Sequence, residues 1–185
     1  MDLVLFIGIP ASGKSTYYKQ HFFHTHVRVN LDMLRTRNRE HLLLDFCFKT
    51  RQPVVVDNTN VTLAERQQYI GLGKQHQFRV RGFSFQSYVK ESIARNALRT
   101  GKERIPEIGI ASKYSQLQLP SFAEGFAEFF TSECGIMDLS SGPGRGKTHF
   151  NTLKFTIRSL VAQEAGWGRS KYKPQNFKSR PGFAN

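Results

Sequence analysis

The sequence is poor in cysteine, in acidic residues and in long apolar runs, and each shortage excludes something. Its two cysteines, Cys47 and Cys134, lie far apart in 185 residues and form no CxxC. A disulfide framework or a zinc ribbon is thereby excluded, and a reducing, cytoplasmic setting is expected. No apolar run approaches the roughly 20 residues of a membrane span, so no membrane partner is expected. The N-terminal MDLVLFIGIP also lacks the basic segment and long apolar core of a secretory signal. Asp and Glu number 14 against 27 Lys and Arg, for a formal net charge of +13. Such an excess favours a polyanionic partner, nucleic acid first, although simple basicity would account for the charge equally well. There is no internal repeat, and the length suits one compact domain with room for an appendage.

The position of the charge is more informative than its total. Residues 1–139 hold 18 basic and 13 acidic residues, a surplus of +5, whereas residues 140–185 hold 9 and 1, a surplus of +8. The composition changes at SSGPGRGKTHF, which places a domain boundary near Ser140. Beyond it, NTLKFTIRSLVAQEAGW reads as one amphipathic helix, with Leu153, Ile157, Leu160 and Val161 at helical spacing. The final RSKYKPQNFKSRPGFAN reads as a flexible basic tail whose Tyr172, Phe177 and Phe183 could stack on bases, or which merely solubilises.

In the body, strand-sized apolar runs alternate with longer amphipathic stretches. LVLFI (3–7), VRVN (27–30), PVVVD (53–57), FRVRGFSF (78–85) and AEFFTSE (127–133) read as strands, with IMDL (136–139) a candidate edge strand. Residues 15–24, 32–50, 62–76 and 87–100 read as helices. The expectation is an α/β fold with a mainly parallel sheet of about five strands flanked by helices. In such sheets ligands bind beyond the carboxyl ends of the strands.

The first run is followed by GIPASGKS, which satisfies GxxxxGK followed by Ser or Thr at every position. Glycines let the backbone curl around a phosphate with its N–H groups inward, Lys14 brings a cation to the β and γ phosphates, and Ser15 offers a hydroxyl to magnesium. Gly8, Ile9, Pro10, Ala11, Ser12, Gly13, Lys14, Ser15 and Thr16 form the expected nucleotide-binding segment, with ATP and Mg2+ as cofactors. A second run, GPGRGKT (142–148), has its leading glycine out of register and reads as a basic linker.

The second strand leads into VNLDMLR. On position alone Asp32 is a helix-opening acid that favours the dipole. Beside a P-loop, the same carboxylate can orient an acceptor hydroxyl and take its proton, and Arg35, three residues on, would share its helical face. The third strand closes on Asp57, the pattern of an acid that assists Ser15 in holding metal. Asn58, Thr59 and Asn60 follow as substrate-binding candidates; an Asx turn explains one such residue more readily than four polar ones in succession. Further on, IARNALRTGKERIP sets Arg95 and Arg99 at i and i+4, a cluster that either closes as a lid over an anion or stands as a solvated basic face.

Together GIPASGKS, VNLDMLR, VVVDNTN, ARNALRTGKERIP and PSFAEGF resemble, in the same order along residues 3–133, the kinase domain of the polynucleotide kinase and polynucleotide kinase-phosphatase family within the P-loop kinase superfamily. The resemblance implies an ATP-dependent phosphotransferase acting on the 5′-hydroxyl ends of DNA or RNA, with magnesium. It makes Asp32 the general base and Arg35 the residue gripping the acceptor's 3′-phosphate. Lys14 and Ser15 would hold phosphates and metal, while Arg99, supported by Arg95, would clamp the donor. Asp32, Lys14 and Arg99 thus form the expected catalytic set.

Two departures shape the expectation. Only residues 36–52 separate Arg35 from the third strand, where relatives usually carry two helical segments, so the acceptor opening should differ in shape. No DxDGT and no pair of HxT or HxS motifs occurs, so no phosphatase, phosphodiesterase or ligase domain is expected in this chain. A small-molecule kinase using the same base, and a nucleic-acid-binding ATPase switch, stand as alternatives.

Overall fold

A computed structural model describes residues 1–133 and 154–157. The candidate strand at 136–139, the glycine run at 142–148, Cys134, Trp167 and the tail aromatics Tyr172, Phe177 and Phe183 lie outside the described residues.

Along the chain come β1 (Asp2–Ile7), α1 (Lys14–His21), β2 (Val27–Val29), α2 (Leu31–Leu34), α3 (Arg37–Lys49), β3 (Val54–Val56) and α4 (Leu63–Gln75). They are followed by β4 (Arg79–Ser84), α5 (Val89–Ala97), a 3-10 turn (Gly101–Glu103), α6 (Glu107–Ser115), a second 3-10 turn (Phe122–Glu124), β5 (Glu128–Glu133) and β6 (Lys154–Ile157). The strands form one sheet in the order β2-β3-β1-β4-β5-β6. The first five are parallel, as expected, and β6 runs antiparallel to β5.

Strand β1 lies at the centre, and Leu3 through Ile7 are all fully buried. That explains its unbroken apolar run: a strand covered on both faces has no polar side to show. Leu3, Leu5 and Ile7 pack with Leu44 and Phe48 of α3 and Tyr69 and Ile70 of α4. Val4 and Phe6 pack on the other face with Tyr17, Tyr18 and Phe22. Helix α4 approaches the sheet closely at Gly73, where an added Cβ would stand 2.6 Å from Val80 Cγ2 and 2.9 Å from Leu3 Cδ2. Its start is a capping box: Thr62 Oγ1 accepts from Glu65 N, and Glu65 Oε2 accepts from Thr62 N.

Three expectations change. The helix foreseen over 32–50 is broken, because Arg35 takes a left-handed φ of 68° that closes α2, and Thr36 caps α3 by accepting from Arg39 N. Arg35 therefore follows the four-residue helix instead of sharing a helical face with Asp32. The turn foreseen at Pro106 leads into α6, whose Ile110 is fully buried, with the proline at the helix entrance where its missing N–H costs nothing. Finally, residues 154–157 are a strand and not part of a helix. In KFTI the β-branched and aromatic residues suit a sheet, and the exposed edge of β5 supplies the ladder partners that a helical reading overlooks.

Candidate active site

β1 is the point at which the strand order reverses: the chain leaves it for β2 on one side and later crosses to β4 on the other. The crevice beyond its carboxyl end is where such sheets bind ligands, and the Gly8–Ser15 loop fills it. Neighbouring segments hold the loop in place. Gly8 N donates to Thr59 O at 2.9 Å, Asn60 Nδ2 donates to Phe6 O at 2.7 Å, and Ile9 N donates to Ser87 Oγ at 3.2 Å. At Gly8 a Cβ would meet Ser12 Oγ at 2.9 Å and Phe85 O at 3.3 Å, so only glycine fits. Ala11 sits at φ 61° and Asn60 at φ 46°, left-handed conformations that cost an alanine more than an asparagine. With Arg35, three non-glycine residues at this end of the sheet carry positive φ, as functional loops often do.

Lys14 opens α1 and is 7% exposed. Its ammonium donates to Gly8 O at 2.9 Å, Ile9 O at 2.7 Å and Ser12 Oγ at 3.3 Å. Burial, against the pull of Asp57 and Asp32 and with the help of the Arg99 charge, lowers its pKa to about 8. The charges of Asp57, Arg99 and Asp32 thus all reach the Lys14 ammonium. Phosphate oxygens are the partner that would restore full charge to such a lysine.

Ser15 Oγ donates to Asp57 Oδ2 at 2.9 Å, which joins the two expected metal residues. Asp57 is 2% exposed, and its Oδ1 is buried without a hydrogen-bond partner. The Ser15 hydroxyl and the Asp57 carboxylate that it meets, next to a phosphate loop, are the hard oxygen donors that suit a cation such as magnesium. Among the described residues no cluster of three or more His, Cys, Asp or Glu forms an all-protein metal site, so substrate phosphates and waters would complete the shell.

Arg28 belongs to none of the motifs and joins the site only in the folded chain. It lies in β2, paired beside Val55, and its Nε and Nη2 both reach Asp57 Oδ2 while Nη2 also donates to Ser15 Oγ at 2.8 Å. A charged residue between two valines was the available signal, and it reads equally well as a solvent-facing strand position.

Asp32 stands exposed in the first turn of α2. Asn30 caps that turn by accepting from Met33 N at 3.2 Å and donates through Nδ2 to Asp57 O, while Asn58 Oδ1 accepts from Leu31 N at 2.9 Å. Asn58 is itself held by Glu40 and Tyr69. The Glu40 carboxylate is fully buried and accepts from Asn58, Tyr69 OH and Arg37. Burial, reinforced by the hydrogen bond to Glu40, pushes the Tyr69 phenol up to about 12. The side chains of Asn58 and Asn60, foreseen at the substrate, thus have partners inside the protein, and Thr59 meets the loop through its carbonyl.

On the opposite flank, α5 ends at Ala97, so Arg95 is helical and Arg99 lies just beyond. Asn96, 2% exposed, clamps the connecting turn: Nδ2 donates to Ile105 O at 2.6 Å and Oδ1 accepts from Ile105 N at 3.0 Å. Arg99 Nη1 reaches Glu103 O at 3.5 Å within that turn. The segment after Asn60 rests on Arg66, which is 1% exposed, donates to Asn60 O and Val61 O, and makes a bidentate pair with Glu124.

Residues 3–120 match the AAA domain. The chain belongs to that family. This AAA domain is also 30% identical over 131 residues to the bifunctional polynucleotide phosphatase/kinase of Schizosaccharomyces pombe, covering 68% of this chain and 32% of that protein. The chain therefore spans about a third of that relative's length. Among solved structures, the AAA domain resembles Chaetomium thermophilum Kti12 in complex with ADP-AlF3, with a TM-score of 0.57 at 14% identity over 70% of this chain and 87% of that one. It also resembles a gluconokinase from Sinorhizobium meliloti, with a TM-score of 0.52 at 15% identity over 71% and 81%. The family match and the phosphatase/kinase relative mark a P-loop kinase-like domain, and at these identities the structural likeness speaks for the fold alone, which is the fold that the motifs implied. No helix among the described residues is long and apolar enough to cross a membrane.

Proposed function

We propose that the protein is a 5′-hydroxyl polynucleotide kinase, transferring the γ-phosphoryl group of ATP to a nucleic acid end. The observation that carries the reading is the placement of Asp32. Asn30 and Asn58 pin its helix turn beside the Ser15–Asp57 pair, and its charge acts on Lys14. The similarity to a polynucleotide phosphatase/kinase supports the choice of acceptor.

In this reading Asp32 orients the acceptor hydroxyl and accepts its proton as the oxygen bonds to the γ-phosphorus and the bridging bond to the β-phosphate breaks, releasing ADP. Loop N–H groups and Lys14 cradle the phosphates. Arg99, on its clamped turn, meets the γ-phosphoryl charge, with Arg95 in support. Ser15 and Asp57 would hold magnesium, which offsets phosphate charge when bound. Arg35 supplies a cation to a phosphate of the acceptor, and the basic segment from Ser140 adds attraction that is independent of sequence.

The test is transfer from γ-labelled ATP to a panel of 5′-OH DNA, 5′-OH RNA, nucleosides and sugars. Label should appear on the oligonucleotides, and Asp32→Asn should lower transfer by about 10²- to 10⁴-fold while ADP binding persists. Transfer only to small molecules, or hydrolysis without transfer, would overturn the assignment of the acceptor.

A further inference from the structure

Arg28 is placed where the proposed metal would be needed. Its guanidinium has five donors, and an ordinary bidentate pair would engage both carboxylate oxygens of Asp57. Here Nε and Nη2 instead converge on Oδ2, the same oxygen that accepts from Ser15, while Oδ1 keeps no partner. Nη2 therefore sits between a hydroxyl oxygen and a carboxylate oxygen, the two groups expected to face a hydrated divalent cation. The Asp57 side chain is 1% exposed and the Arg28 side chain 22%, so the acid is fixed while the cation borders solvent. A resting place adjoins it: the guanidinium lies 5.3 Å from the Tyr18 ring centroid, and Nη1 lies 3.6 Å from Met33 Sδ.

We infer that Arg28 is a tethered counter-cation for Asp57, seated at the position a divalent metal takes when nucleotide binds, so that metal loading displaces it. A buried carboxylate left alone would repel phosphates and destabilise the fold, and the guanidinium relieves both until metal arrives. Metal and Arg28 then compete for one carboxylate oxygen, and the protein binds nucleotide with less dependence on metal than the bare Ser15–Asp57 pair would. The inference rests on the nucleotide-binding part of the proposed function and is indifferent to the acceptor.

The experiment measures binding of a fluorescent ADP analogue to the full chain in EDTA and in a Mg2+ series, for wild type, Arg28→Gln and Arg28→Lys, with folding checked by thermal melts. Wild type should show the smallest ratio of metal-free to metal-saturated Kd. In Arg28→Gln the ratio should rise about tenfold, the equivalent of one charge-assisted contact, with weaker binding in EDTA and half-saturation at lower Mg2+. Arg28→Lys, which keeps the charge without the fork, should fall between them, and it decides the matter if Arg28→Gln does not fold. An unchanged or smaller ratio, with nucleotide still bound, would overturn the counter-cation role alone. Failure of wild type to bind nucleotide would overturn both this role and the proposed function.

Discussion

Glu40 and Asn58 meet in the protein interior, with Asn58 Nδ2 donating to Glu40 Oε1 at 2.7 Å, and through this bond a buried acid in α3 reaches the turn that carries Asp32. Asn58 has its amide nitrogen on the acid and its amide oxygen on Leu31 N, so its orientation is set from one side and applied on the other. Arg37 and Tyr69 also donate to the carboxylate.

Glu40→Gln keeps the shape but replaces an acceptor oxygen with an N–H₂ facing donors. Transfer should lose about tenfold in kcat, with KM for ATP within about twofold of wild type, because the change acts on Asp32 and not on the phosphate loop. Stability should fall by about 1–3 kcal/mol, read from urea unfolding. A raised KM for ATP at unchanged kcat would show that the network serves the nucleotide instead.

Helix α4 contains two glycines with opposite expectations. At Gly71 an added Cβ meets nothing within 4 Å, so Gly71→Ala should stabilise by roughly 0.5–1 kcal/mol through helix propensity. At Gly73 the same methyl would meet Val80 and Leu3. Gly73→Ala should destabilise by about 1–3 kcal/mol, less whatever propensity returns. Thermal melts of the two variants should shift in opposite directions.

His26 predicts a pH effect. Burial lowers its pKa below the ordinary 6.5, aided by Arg81 and opposed by Asp2, and its Nε2 is buried without a partner. The unfolded chain therefore takes up this proton first as pH falls. The stability tied to neutral His26 is present above about pH 6.5 and is lost as pH drops through the window below it. Between pH 7 and 5 the melting temperature should fall less steeply in His26→Leu than in wild type; identical slopes would remove His26 as the source.

The sequence by itself determined the glycine-rich loop and all five parallel strands. These are short-range signals: GIPASGKS carries its chemistry within eight residues, and strands such as LVLFI and PVVVD declare burial on both faces by being apolar throughout. It misread what depends on partners far away in the chain. KFTI became a strand because β5 offered an edge, and the helix after Asn30 stopped at Leu34 because Arg35 turned left-handed, which apolar spacing does not encode. Only the tertiary structure brought Arg28 onto Asp57, 29 residues away, and set Glu40 behind Asn58, 18 residues away. The physical reason is that parallel strands become neighbours only after a crossover. Which charges then face each other is decided by sheet order and register, both properties of the folded whole.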